Sequence, residues 1–99
     1  MDTIKQIEKR LNALKKRFPD SQKVVRFVIE DSRDWMGEPA LYIWVLFENG
    51  TPESEQTLEK VWPMERMIAD DIFARKDPRF PYVRFRTDQE YEDRIAGMQ

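Results

Sequence analysis

Eight consecutive residues, Ala40-Leu41-Tyr42-Ile43-Trp44-Val45-Leu46-Phe47, carry no charge, glycine or proline in a chain whose 99 residues are 36% charged. Their β-branched and aromatic content predicts a strand. Side chains alternate across a strand, so Leu41, Ile43, Val45 and Phe47 line one face. Tyr42, Trp44 and Leu46 line the other, and both faces of this strand are apolar. The run is far short of the ~18 apolar residues that a membrane span needs.

The flanking segments supply the rest of an α+β fold. Ile4, Ile7, Leu11, Leu14 and Phe18 recur at helical spacing, which predicts an amphipathic helix over about residues 2–17. Pro19-Asp20 stops it, because the residue before proline avoids the helical conformation. Lys23-Val24-Val25-Arg26-Phe27-Val28-Ile29-Glu30 predicts a strand, with Val25, Phe27 and Ile29 facing inward and Val24, Arg26, Val28 and Glu30 facing outward. It pairs with the apolar octet as an antiparallel hairpin with a long loop from Asp31 to Pro39. Asn49-Gly50 is a turn, and Thr51-Pro52 then opens a helical stretch reaching to about residue 75. Pro63 falls inside that stretch and predicts a kink or a junction of two helices, with Trp62 packed in the core beside it. Tyr82-Val83-Arg84-Phe85-Arg86 predicts a short third strand. Thr87-Asp88-Gln89-Glu90 reads as a capping box for a last helix.

The expected order is α-β-β-α(α)-β-α, a single α+β domain over residues 1–99 with a three-stranded sheet packed on helices. Trp62-Pro63-Met64-Glu65 lies between its middle helical segments, and Tyr82–Arg86 forms its last strand. This order resembles that of BolA-like proteins and of type II KH domains across nearly the whole chain. A KH domain carries a GxxG loop where this chain has Trp62-Pro63-Met64-Glu65. A BolA-like protein places a metal-cluster histidine before its last strand, and this chain has no histidine. The resemblance implies an architecture and no function.

The residue inventory limits chemistry. No Cys and no His are present, which excludes thiol nucleophiles, zinc knuckles and the commonest general base. Ser21, Ser32 and Ser54 lie in turn or cap contexts, without the surroundings of an activated nucleophile. Gly37, Gly50 and Gly97 are too scattered to cradle a phosphate. Asp31, Asp34 and Glu38 lack the calcium-loop pattern, and the adjacent Asp70 and Asp71 diverge on a helix, so these acids read as solvated charges. We therefore expect no enzyme, no cofactor and no metal.

Arg26, Arg84 and Arg86 fix the sheet register, because burying them unpaired is costly. One face then gathers Arg26, Tyr42, Trp44, Tyr82, Arg84 and Arg86. Tyr, Trp and Arg are the residues enriched at protein-binding hot spots. The leading expectation is a small non-catalytic accessory, regulatory or inhibitor- or antitoxin-like protein that docks another protein, or a second copy of itself, through this face. Trp35-Met36 on the hairpin loop is a second docking candidate. The alternative is single-stranded RNA or DNA stacked on the same aromatics. Net charge is −2, but residues 1–33 hold nine basic and five acidic groups. The same face could instead be covered by one of the chain's own helices. With no secretory-type apolar segment at the N-terminus, a cytoplasmic location and no membrane contact are expected.

Overall fold

In the computed structural model, residues 2–19 and 23–97 are described. The elements follow the expected order: α1 (Ile4–Leu14), β1 (Val24–Arg33), β2 (Pro39–Phe47), α2 (Leu58–Ala74), β3 (Phe80–Thr87) and α3 (Asp88–Gly97). Short 3-10 turns follow α1 at Lys15–Arg17 and precede α2 at Glu53–Glu55. The expected Pro19-Asp20 stop runs into residues 20–22, outside the described set, but Phe18 is already extended ahead of Pro19.

The octet is the central strand. The sheet order is β1-β2-β3, with β1 antiparallel to β2 and β3 parallel to it. A parallel neighbour requires a crossover, and α2 supplies it. One sheet face meets α1 and α2. There Phe27, Leu41, Ile43, Val45, Phe47 and Val83 pack with Ile7, Leu11, Phe18, Val61, Met64, Ile68 and Ile72. The opposite face carries a smaller cluster, in which Tyr91 and Ile95 of α3 cover Trp44, Leu46 and Val28.

Five local expectations are corrected. First, the β1–β2 register shifts between Val24 and Arg26. This bulge makes Val25 the extra residue, so Val24 enters the main core while Val25 is exposed. Second, the hairpin loop is short. β1 runs on to Arg33 because the Asp34 carboxylate accepts the backbone N–H groups of Met36 and Glu38 at 2.9 and 3.0 Å, and Gly37 takes the positive φ of 81° that closes the turn. Third, Thr51 caps no helix. Its hydroxyl donates to the Glu48 carbonyl, and Pro52 is extended, six residues before α2 begins. Fourth, of the two forms expected at Pro63 the junction of two helices does not occur: α2 is one helix, and the carbonyl that loses its donor belongs to Glu59, an exposed residue. Fifth, Trp62 is not core. The buried positions are Val61, Met64, Ile68 and Ile72, and Trp62, one step off that stripe, lies half exposed with the Arg66 guanidinium 5.6 Å from its ring.

Candidate protein-binding face

The residues expected on the second sheet face do share that face, but α3 divides them. Thr87 ends β3 and caps α3 in the same residue. Its hydroxyl accepts the Glu90 N–H at 3.2 Å, and its own N–H donates to Oε1 of Glu90 at 2.8 Å, the capping box read from the sequence. With no linker, α3 turns straight back over the adjacent end of the sheet. The Gln89 N–H reinforces this by donating to Oδ1 of Asn49 in the turn after β2, at 2.7 Å.

Trp44 is consequently 6% exposed. Its ring packs against Tyr91 at 5.5 Å, with the Arg94 guanidinium 4.8 Å from its centroid. Trp44 is a packing residue of the α3 layer, and its surface is closed to a partner. Arg26 is also engaged from above. Its Nε bonds Asp88 at 2.7 Å and its Nη2 bonds Glu92 at 2.5 Å. The Asp88 hydrogen bond and Glu92 raise the Arg26 pKa further, against a smaller opposing effect of burial.

The far half of the face is open, and there the aromatics form a ladder. Tyr42 and Tyr82, opposite each other on β2 and β3, stack at 5.3 Å with 20° between planes. Phe80 continues from Tyr82 at 5.0 Å. Phe73, from the end of α2, meets Phe80 at 5.8 Å. Phe73 and Phe80 are each half exposed. Both tyrosine hydroxyls are tied to the hairpin: Tyr82 donates to Oδ2 of Asp34 at 3.1 Å, and Tyr42 to the Arg33 carbonyl at 3.3 Å. The ladder is therefore held against the turn that presents Trp35, 87% exposed, and Met36. Partial desolvation raises the Asp34 carboxyl, but the N–H groups of Glu38 and Met36 and the Tyr82 hydroxyl outweigh it and hold the pKa below the usual value. Desolvation and the Asp34 bond push Tyr82 up, so its hydroxyl stays protonated as a donor.

Arg84 and Arg86 project at the β3 edge. Nη1 of Arg86 donates to the Phe85 carbonyl at 2.6 Å, and Nη1 of Arg84 approaches the Val83 carbonyl at 3.5 Å.

Phe73 and Phe80 were missed in the sequence. Phe80 shares alternation with Tyr82, and the signal was masked by Pro81, which reads as a breaker. Proline is tolerated on an edge strand, where its missing N–H would have pointed to solvent. Among the described residues no cluster of three or more potential ligands could hold a metal, and no helix is long and apolar enough to cross a membrane. No family model, curated protein or solved structure matches this chain.

Proposed function

We propose that this chain is a non-catalytic protein-interaction domain that docks a partner protein through the open half of the sheet, using Phe80, Tyr82 and Tyr42 together with Trp35 and Met36 at the hairpin tip. The observation that carries this reading is the aromatic ladder anchored by two hydroxyl hydrogen bonds to an exposed tryptophan turn. Rigid aromatic side chains contribute large contact area at low entropic cost. Exposed rings that are contiguous mark an interaction surface better than scattered ones. A chain without Cys or His and with this surface fits an accessory or regulatory subunit of the cytoplasm better than an enzyme.

A nucleic-acid partner is less well supported by the same geometry. Trp44 is covered, Arg26 is held by two carboxylates, and Asp34 sits within hydrogen-bond distance of Tyr82.

The test is capture from native lysate by tagged wild type and by a Trp35→Ser/Phe80→Ser double variant, each with and without nuclease. Trp35 is exposed and Phe80 half exposed, so the variant should lose no more than about 1–2 kcal/mol of stability and remain folded, which thermal unfolding checks. Stoichiometric protein retained through nuclease by the wild type and lost by the variant supports the reading. Retention by the variant removes the ladder as the site. Captured material that disappears with nuclease transfers the face to RNA or DNA.

A further inference from the structure

The two edges of the sheet are treated differently. β3 is closed to further pairing by its own side chains. Pro81 lacks an N–H, the Phe85 carbonyl is taken by Arg86 at 2.6 Å, and the Thr87 N–H is taken by Glu90 at 2.8 Å. These are devices that stop a strand from recruiting a neighbour. β1 lacks them along its middle.

The outward groups of β1 can be assigned from its pairing with β2. The Asp34 N–H bonds the Glu38 carbonyl at 2.9 Å at the turn, one step beyond the Arg33–Pro39 pair. Antiparallel pairs alternate between bonded and non-bonded, so the even residues from Arg26 to Asp34 turn their backbone groups towards β2. The backbone groups of Phe27 and Ile29 then point outward. Among the described residues no other backbone group bonds them.

We propose that a second copy of this chain pairs here, β1 against β1 in antiparallel register about a two-fold axis through Val28, to give a continuous six-stranded sheet. This goes beyond the ladder reading and does not depend on it. Side-chain complementarity selects both the partner and the register. With Val28 opposite itself, Phe27 and Ile29 become a bonded apolar pair on the core face. On the other face Arg26 of each copy stands opposite Glu30 of the other. Glu30 is exposed. Arg26 offers Nη1, which no group bonds among the described residues, its Nε and Nη2 being used by Asp88 and Glu92. Shifting the axis to Ile29 puts Glu30 opposite Val28 and Arg26 opposite Ser32, which loses the ion pair. Shifting it to Glu30 puts that carboxylate opposite itself, which is repulsive. An interface of this kind is isologous, so each favourable pair occurs twice. The axis is normal to the sheet, so both aromatic ladders lie on the same side of the dimer.

The chain has no cysteine, which makes an introduced one a clean reporter. Val28 opposite Val28 is a non-bonded antiparallel pair with Cα atoms about 4.5 Å apart, within disulfide range. Val28→Cys is therefore expected to form a covalent dimer rapidly under mild oxidation. Glu30→Cys, whose counterpart lies about 14 Å along the strand, should not. Light scattering of the unmodified chain over a concentration series should approach twice 12.0 kDa. Glu30→Lys, which sets two cations opposite each other, should raise the dissociation constant at least about tenfold. At concentrations low enough that both proteins are monomeric its circular dichroism melt should match that of the unmodified chain, since a dimer adds stability only where it forms, and this measurement does not depend on how Val28→Cys folds. A monomer at every concentration overturns the proposal. So does a dimer that Glu30→Lys leaves intact, or one in which Glu30→Cys crosslinks as fast as Val28→Cys.

Discussion

The Arg79 guanidinium is 3% exposed and makes four hydrogen bonds. Two form a fork on the Asp77 carboxylate, one reaches Oδ2 of Asp31, and one reaches the backbone carbonyl of Asp2. The residue thus ties the N-terminal segment, β1 and the turn before β3 into one node. A lysine ammonium cannot reproduce the fork. Arg79→Lys keeps the charge but loses the fork, and should lower stability by about 1–2 kcal/mol, which urea unfolding would measure. Acid should attack the same node. Arg79, first by its hydrogen bonds, holds the Asp77 carboxyl below its ordinary value in the folded chain, against the opposing effect of burial. A depressed carboxyl stabilises fully above its unfolded pKa of about 3.9, and that contribution fades as pH falls through the folded value. The urea midpoint should therefore drop as pH falls below about 4, and the drop should be shallower in Arg79→Lys. A pH series on both proteins checks this.

At the scale of elements, what was legible followed periodicity, and what was not followed pairing. The α1 stripe was readable because Ile4, Ile7, Leu11 and Leu14 repeat at helical spacing, and Ile7 and Leu11 at its centre are buried. The two faces of β2 were readable from strict alternation. The bulge at Val25 was invisible, because an inserted residue leaves the alternation of the sequence itself unbroken and only the partner strand reveals the shift. The extension of β1 through Asp31-Ser32-Arg33 was invisible for a related reason. Polar residues with low strand preference are held there by a turn that Asp34 and Gly37 close. The end of α2 shows a further cost. Lys76 has a φ of 54°, and its N–H closes on the Phe73 carbonyl at 3.0 Å. This is the left-handed position that usually takes glycine after a helix. Lys76→Gly should raise stability by about 1 kcal/mol, readable as a higher melting temperature, with no effect on the ladder beside it.

For the whole molecule, the sequence showed which residues share a sheet face but not how much of that face stays open. The capping box at Thr87 was legible, yet its consequence depended on β3 running parallel to β2, which places Thr87 beside Phe47. That pairing joins segments about 40 residues apart in sequence and leaves no local signature. Once it is made, α3 returns over Trp44 and Leu46, and the candidate site contracts to the opposite end. The same division separates the three tryptophans into distinct surroundings. Trp44 is enclosed by Tyr91 and Arg94, Trp62 is half covered by Arg66, and Trp35 stands in water. Native emission is therefore a composite of three separable lamps. A soluble quencher dims Trp35 first, and replacing Trp35 and Trp62 with phenylalanine leaves Trp44 as a private reporter of whether α3 is seated.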